Sequence, residues 1–317
     1  MYVTSSPVLL IVFNRPDQTA KVFNALRKVK PKRIYLSADG PRLCRFGETE
    51  KCEAVLNIFS APDWPCEVHR KVHSTNIGCD ANVLSGVNWF FENEEFGVVL
   101  EDDCVPNESF FRFCDKLLER YRNDNRIMWI NGFNNGYCSE DVSSSYFYSS
   151  YALSSGWASW RRAWSYFRSD SHIFARNDGV STFFPEHIKA SYLTWLFWRY
   201  AFKYAKVSRA WDFEWLHSLW MQGGFACTPA KNLISNIGYG VDAYHGGSHN
   251  DPRGNLPTEE LQGKFIFPPE QVPSVSLDIY LGRTFYRIGI YTIVKLFVAS
   301  NFPRLRIFIR RIRNKSY

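Results

Sequence analysis

The sequence predicts a mixed, mainly parallel α/β sheet flanked by helices, with a C-terminal helical extension. Strand-like and helix-like segments alternate through the first 130 residues, an order typical of α/β folds. Several of the strands are short, continuous apolar runs, which indicates a sheet buried on both faces. Polar clusters directly follow three of these strands. Because ligands of such sheets bind at the carboxyl ends of the strands, these clusters mark the predicted functional edge.

The predicted elements follow in chain order. Val8–Phe13 is the first strand, and Pro16 opens the first helix because its fixed φ and missing N–H suit a first turn. The rest of the first half is predicted to form strands at 34–37, 66–72, 97–100 and 127–130, and helices at 48–58, 81–91 and 107–121. In the second half, Trp-rich patterns predict helices at 157–167, 187–206 and 211–222, followed by a glycine-rich stretch at 236–247.

Composition and charge exclude several classes of protein. With 317 residues, 45% of them hydrophobic and 22% charged, the chain is too apolar to be disordered. Residues 276–317 contain nine basic residues and one acid, whereas the remainder of the chain is almost neutral. A nucleic-acid-binding body is therefore not expected. The eight cysteines form no CxxC pair and no zinc-type spacing, which favours reduced thiols in a cytosolic protein.

Three consecutive carboxylates, Glu101, Asp102 and Asp103, follow the strand at 97–100. In an extended chain Glu101 and Asp103 share one face and Asp102 points to the other. Their mutual repulsion needs a neutralising partner. A Mg²⁺ or Mn²⁺ ion, held by one or two carboxylates and by substrate phosphates, is such a partner. The alternative is a solvated acidic turn, or an N-cap for the next helix.

Four ordered motifs extend this interpretation: PVLLIVFNRPD at 7–17, SADGPR at 37–42, VVLEDDCVPNESFF at 98–111, and WDFEW at 211–215 with its upstream partner SGWASWRRAW at 155–164. Together they resemble the GT-A-fold, nucleotide-sugar-dependent glycosyltransferases of the bacterial polysaccharide type and, more distantly, N-acetylglucosaminyltransferase I. The resemblance covers about residues 7–245. It implies a GT-A (Rossmann-like) domain at 1–275, with a nucleotide-binding half at 1–130 and an acceptor and catalytic half at 131–275.

The resemblance also implies a role for the polar residues of these motifs. Asp103 would hold a Mn²⁺ or Mg²⁺ ion that bridges the donor diphosphate, and His245 would be a second ligand if it is not simply a surface histidine. Asp102 would accept hydrogen bonds from ribose hydroxyls, and Glu101 would line the donor pocket. The remaining donor contacts implied are Asn14, Arg15, Asn76, Asn82, and Asp39 at the uracil edge.

Transfer to an acceptor hydroxyl needs a base, and the candidates are Asp212 and Glu214. The eukaryotic relative has adjacent aspartates between two tryptophans, whereas this chain has one residue inserted. Both alignments stay open, and Asp212 is preferred. The alternative is a helix start capped by Asp212, with Glu214 in the first turn. Trp157 and Trp160 are candidate platforms for an acceptor sugar, or else core residues.

The region 276–317 is predicted to be a basic amphipathic tail. Apolar residues at 279–299 are interrupted by Arg283, Arg287 and Lys295 on one helical stripe, which predicts a helix in the membrane interface that ends at Pro303. Six bases between Arg304 and Lys315 would then contact anionic headgroups. The alternative is a packed helix with a solvated basic end. The N-terminus lacks the basic region of a signal peptide, so a cytoplasmic protein peripherally attached to the inner face of the membrane is expected.

These observations predict a metal-dependent inverting glycosyltransferase of the hexosyltransferase type. It would move a sugar from a UDP-sugar to a saccharide acceptor, expected to be lipid-linked, in surface polysaccharide (lipopolysaccharide O-antigen) synthesis. One alternative is a membrane-attached, non-catalytic carbohydrate-binding or membrane-active protein. Another is a sugar-nucleotide pyrophosphorylase, which requires a glycine-rich loop after the first strand. The chain has FNRPD there, without a glycine, which argues against this alternative.

Overall fold

A computed structural model describes residues 2–139, 144–167, 183–208, 210–239 and 251–302. Ten strands lie within these residues: β1 (Val8–Val12), β2 (Arg33–Ala38), β3 (Glu67–Val72), β4 (Phe96–Glu101), β5 (Cys104–Pro106), β6 (Ile127–Asn131), β7 (Tyr146–Ser149), β8 (Trp157–Trp160), β9 (Phe225–Pro229) and β10 (Ile234–Asn236). Eight of them form one sheet in the order β3-β2-β1-β4-β8-β6-β9-β7, and β5 pairs with β10 in a small antiparallel sheet.

The large sheet is mainly parallel. Strands β3, β2, β1 and β4 all run in the same direction, and β6 is parallel to β9. Strand β8 is antiparallel to both of its neighbours, β4 and β6, and β7 is antiparallel to β9. The predicted fold class, a mixed and mainly parallel sheet flanked by helices, is confirmed.

Helices connect and cover these strands. They are α1 (Pro16–Val29), α2 (Glu48–Ile58), α3 (Cys79–Asn93), α4 (Glu108–Arg120), α5 (Arg161–Trp164), α6 (Glu186–Ala190), α7 (Tyr192–Ser208), α8 (Trp211–Met221), α9 (Val275–Thr284) and α10 (Ile290–Asn301). Helix α1 begins at the predicted proline and buries Val22, Leu26 and Val29 at helical spacing. Helix α4 is capped by Asn107, whose side chain accepts a hydrogen bond from the N–H of Phe110 at 3.0 Å.

The predicted helix at 157–167 is wrong for its first half. Trp157–Trp160 form β8, which lies between β4 and β6 with all four residues buried, and only Arg161–Trp164 are helical. A strand buried on both faces has no exposed positions, so its sequence carries no period of two that would distinguish it from a buried helix. Pairing with distant strands decides its conformation.

The predicted single helix at 279–299 is also wrong, because the helical conformation is interrupted between α9 and α10. Arg287 adopts a left-handed conformation with φ of 54°, and its guanidinium pairs with Asp251 at 2.9 Å. Arg283, Arg287 and Lys295 therefore do not share one helical stripe. Pro303 and the bases from Arg304 to Lys315 lie outside the described residues.

Helix α9 packs into the hydrophobic core beside the large sheet. Leu277 and Leu281 are fully buried, and the carboxylate of Asp278 is held from three sides. The hydroxyl of Ser149 donates to it at 2.5 Å, the N–H of Ser150 donates at 3.0 Å, and His187 approaches it at 2.8 Å. Among the described residues, none of the helices has both the length and the apolar character needed to cross a bilayer.

Candidate active site

The predicted functional edge lies at the carboxyl ends of β2, β1 and β4. In register, Val12 of β1 faces Ala38 of β2, and Ile11 faces Glu101 of β4. The chain proceeds from β1 to β2 and β3 on one side and places β4 on the other, so the strand order reverses between β1 and β4. This reversal is the position where open α/β sheets bind ligands. The loops that follow β1 and β4 bring Arg15 and the acidic triplet to it.

Arg15 holds two of the three carboxylates. Its Nη2 lies 2.8 Å from Oδ1 of Asp102, and its Nη1 lies 3.0 Å from Oδ2 of Asp103. Burial by itself would lower the pKa of the Arg15 guanidinium, but Asp102 and Asp103 outweigh this effect and raise the pKa above its ordinary value. A cation is thus already required at this position in the ligand-free protein, and Arg15 provides it.

The acidic cluster remains electrostatically crowded despite Arg15. Burial raises the pKa of both Glu101 and Asp102, and repulsion from Asp103 raises them further. Oδ2 of Asp102 is buried and has no hydrogen-bond partner among the described residues. An unpartnered carboxylate oxygen is costly to bury. The cluster would therefore gain from a bound hydroxyl or cation.

These residues fit a divalent cation that takes few ligands from the protein. Within the described ranges, no group of three or more His, Cys, Asp or Glu side chains converges as a metal cage. Mg²⁺ and similar ions are commonly held by one or two carboxylates together with water and substrate phosphates. The Asp103 side chain, which is 14% exposed, is the carboxylate that would hold the ion. The other predicted ligand, His245, lies outside the described residues.

The raised pKa of Glu101 predicts a pH-dependent stability. A carboxyl whose pKa is higher in the folded state destabilises that state as pH rises above its ordinary value of about 4. In metal-free protein, Glu101→Gln should therefore change the free energy of unfolding little near pH 5 and increase it by about 1–3 kcal/mol near pH 8. Urea denaturation in EDTA at both pH values measures this difference. The exposed carboxyl variant Glu92→Gln is the control, and an equal gain at both pH values would contradict the prediction.

The small sheet of β5 and β10 also contacts Asp103. Asn236 of β10 pairs with Cys104 of β5, and the N–H of Ile237 donates to the carbonyl of Asp103 at 2.8 Å. At the next residue, a Cβ built on Gly238 would lie 1.9 Å from Oδ2 of Asp103. Only glycine permits this approach. The sequence did not single out Gly238, although the predicted glycine-rich stretch contains it.

Gly238→Ala should consequently displace the Asp103 carboxylate and weaken Mn²⁺-dependent nucleotide binding by roughly tenfold or more, since loss of about 1.4 kcal/mol is tenfold in affinity. Isothermal titration calorimetry with UDP and Mn²⁺ measures the effect. Gly289→Ala is a matched control, because a Cβ there meets its nearest atoms at 3.9 Å and 4.0 Å. Unchanged affinity in Gly238→Ala would show that this contact does not position the carboxylate.

Asp39 organises a loop rather than presenting an open acceptor. Its carboxylate accepts hydrogen bonds from the N–H groups of Gly40, Ile77 and Gly78 at 2.8–3.1 Å, and from Nδ2 of Asn76 at 2.8 Å. Four donors match the four lone-pair positions of a carboxylate. The structure thus brings Asp39 and Asn76 together, and both side chains make their hydrogen bonds within the loop before α3. The resemblance implies that Asp39 contacts a uracil edge, whereas in the structure its carboxylate is bonded to its own loop.

The other two predicted asparagines also make contacts within the protein. Nδ2 of Asn82 donates to the carbonyl of Val12 at 3.3 Å, its Oδ1 accepts from Ser37 at 3.1 Å, and the residue is buried. It therefore ties α3 to β1 and β2. Nδ2 of Asn14 donates to Glu48 at 2.9 Å.

Arg42 and Glu48 form an ion pair beside Asn14 that the sequence did not single out, although Arg42 lies in the SADGPR motif. The guanidinium of Arg42 pairs with Glu48 at 2.5 Å and lies 5.3 Å from the centre of the Phe13 ring. Hydrogen bonds from Arg42 lower the pKa of Glu48 to about 2. Glu48 is therefore ionised near neutral pH and holds both Arg42 and Asn14 in place.

The candidate bases begin helix α8, which starts at Trp211. Asp212 is partly buried, and its Oδ1 accepts a hydrogen bond from the N–H of Phe213 at 3.0 Å. Although burial dominates the raised pKa of Glu101, the charge of Asp212 contributes to it, so Asp212 lies within electrostatic range of the acidic cluster. Asp212 also helps raise the pKa of Tyr286, a neighbour that the sequence assigned to the tail. Glu214 is 6% exposed.

Trp157 and Trp160 lie in the core. Each is 1% exposed. Trp157 stacks on Trp129 with ring centres 3.7 Å apart, and Nε1 of Trp160 donates to the carbonyl of Leu118 at 3.0 Å. Neither ring offers a face to a ligand, so the structure places both residues in the alternative role that the sequence allowed.

Comparisons with known proteins give limited likenesses. No protein-family model matches the sequence, and no curated protein is significantly similar to it. Among solved structures, S. aureus TarS (residues 1–349) matches 50% of this chain and 48% of that chain, or about half its length, with 13% identity and a TM-score of 0.34. The mannosyltransferase PcManGT from Pyrobaculum calidifontis, in complex with GDP-Man and Mn²⁺, matches 70% of each chain with 12% identity and a TM-score of 0.35. At these scores neither likeness assigns a residue or an activity to this chain.

Proposed function

We propose that this protein is a metal-dependent, inverting glycosyltransferase of the GT-A type that moves a sugar from a UDP-sugar to a saccharide acceptor. One observation carries the proposal. At the switch point of the sheet, Asp102 and Asp103 share the guanidinium of Arg15, and Asp212 lies within electrostatic range of the same cluster. The site thus combines a position for a diphosphate and its cation with a nearby carboxylate that can accept a proton.

A divalent cation bound at Asp103 would neutralise the negative charge that develops on the departing nucleotide diphosphate. Arg15 would turn one of its N–H groups from the carboxylates to the diphosphate oxygens, because a guanidinium pairs well with either group. Oδ2 of Asp102 is buried and has no hydrogen-bond partner among the described residues. It would accept a hydrogen bond from a hydroxyl of the nucleotide ribose.

Asp212 would remove the proton of the acceptor hydroxyl as that oxygen attacks the anomeric carbon. Attack from the side opposite the diphosphate is a single displacement, so the configuration of the anomeric carbon inverts. Asp212 is preferred to Glu214 because it is the more exposed of the two and its charge acts on Glu101. The side chain of a base must reach the acceptor oxygen directly or through one water.

The sequence resemblance, rather than the geometry, supports the choice of a UDP-sugar and of a hexosyltransferase type. The same holds for a lipid-linked acceptor in surface polysaccharide synthesis. The basic region 276–317 supports attachment to the inner face of the cytoplasmic membrane, since nine basic residues and one acid favour anionic lipids.

Calorimetric titration with UDP, GDP and CMP, each with Mn²⁺ and with EDTA, tests the donor site. Binding of one nucleoside diphosphate with Mn²⁺ and its loss in EDTA are expected. Slow hydrolysis of the matching nucleotide sugar then tests for catalysis without knowledge of the acceptor. Absence of both binding and hydrolysis for all donors would reject the proposal. Saccharide binding without any nucleotide or metal dependence would instead support a non-catalytic carbohydrate-binding protein.

A further inference from the structure

Helices α7 and α10 pack against each other, and both expose apolar side chains. On α10, Ile290, Tyr291, Val294 and Phe297 follow the i, i+1, i+4, i+7 spacing of one helical face and are 40–82% exposed. Ile293, on the adjoining side of α10, is buried. Isolated apolar side chains on a surface are ordinary, but a row of them on one face marks a contact surface.

The start of α7 extends this row. Tyr200 of α7 contacts Phe297 of α10 with ring centres 5.2 Å apart, and one turn later Lys203 contacts Asn301. The two helices therefore run in the same direction, and their first residues lie at the same end. At this end Tyr192 and Leu193 are 69% and 45% exposed. We call the six residues the α7–α10 face: Tyr192, Leu193, Ile290, Tyr291, Val294 and Phe297.

The charged side chains on the two helices of this face are all basic. The nearby acids Glu186 and Asp251 pair with Lys189 and Arg287. Neither α7 nor α10 contains an acidic residue, whereas Arg199, Lys203 and Lys295 are exposed bases on these helices. The sequence that follows α10 adds six bases and no acid between Arg304 and Lys315. An apolar face bordered by bases complements a surface with an apolar interior and anionic headgroups, and tyrosine is enriched where the two meet.

We propose that the α7–α10 face is the docking surface of this protein on an anionic lipid bilayer, with α10 lying in the plane of the headgroups. The contact is made by a folded surface of the body, with the basic segment 304–315 adding attraction to the headgroups. This inference stands apart from the donor site, because it involves neither the acidic cluster nor helix α8.

Sedimentation with vesicles tests the proposal on the full chain. Binding is expected to vesicles of phosphatidylcholine mixed with phosphatidylglycerol, and to be much weaker with phosphatidylcholine alone. The double substitution Tyr291→Gln and Val294→Gln should weaken binding to the mixed vesicles by roughly tenfold or more, because the transfer energy of two apolar side chains is lost. Both positions are more than half exposed, so the fold should tolerate the change.

A matched double variant, Val72→Gln and Ile266→Gln, removes two apolar side chains that are each 49% exposed on other elements, and it should bind like the natural protein. A third variant carries Arg310→Gln, Arg311→Gln and Arg313→Gln. It should bind more weakly, and its binding should depend less on salt concentration than that of the natural protein. Donor binding by calorimetry should be unchanged in all three, which separates this result from the fate of the proposed function.

Three results would overturn the proposal. One is absence of vesicle binding by the natural chain. Another is unchanged binding by the Tyr291→Gln and Val294→Gln variant, which would leave the basic segment as the sole lipid contact. The last is a dimer of the natural chain, measured by light scattering, that becomes a monomer in the Tyr291→Gln and Val294→Gln variant. The face would then be covered by a second copy of the chain.

Discussion

Asp103→Asn should abolish Mn²⁺-dependent UDP binding and reduce sugar transfer by about 10³-fold or more. The amide loses the negative charge that holds the cation, and with it several kcal/mol of leaving-group stabilisation, where each 1.4 kcal/mol is tenfold in rate. The substitution also removes one of the two ionic contacts of Arg15, which then retains Asp102 at 2.8 Å. Calorimetry with UDP and Mn²⁺, followed by a donor hydrolysis assay, measures both effects.

Asp63→Asn is a suitable control for this experiment. Asp63 is exposed and pairs with Arg27 at 2.9 Å, away from the carboxyl edge of the sheet, so its loss should leave binding and transfer unchanged. Retention of Mn²⁺-dependent UDP binding by Asp103→Asn would show that the cation is held elsewhere. The mechanism proposed for this site would then fail.

Asp212→Asn should leave UDP binding intact and lower the turnover number by about 10²–10⁴-fold, the range that general bases contribute. The amide is nearly isosteric and can still accept the hydrogen bond from the N–H of Phe213, so helix α8 should keep its first turn. The variant therefore separates the chemistry from donor binding. Single-turnover transfer, with affinity measured in parallel, provides the comparison.

Glu214→Gln distinguishes the two candidate carboxylates. If Asp212 is the base, this variant should retain most of the turnover, and any loss should come with reduced stability because Glu214 is buried. The reverse pattern, with turnover lost in Glu214→Gln and retained in Asp212→Asn, would reassign the base. Turnover equal to that of the natural protein in both variants would show that neither carboxylate takes the proton.

The sequence predicted the first half of the fold well because local patterns and global pairing agree there. Pro16 and Asn107 mark the starts of α1 and α4, and apolar runs mark the central strands. The acidic triplet was identifiable for the same reason. A polar cluster directly after a buried parallel strand can only emerge at the carboxyl edge, so the meeting of Arg15 with Asp102 and Asp103 follows from the strand order.

Other features depend on contacts between residues far apart in the chain, which no local pattern records. The sequence by itself determined the α/β class and the position of the acidic cluster at the carboxyl edge of the sheet, because these follow from the period and order of its segments. Only the tertiary structure decided that Trp157 lies in a core strand and that Gly238 contacts Asp103. It also decided that the carboxylate of Asp39 accepts hydrogen bonds from its own loop. Burial and hydrogen-bond partners are properties of the packed chain, so they become visible only once distant segments have met.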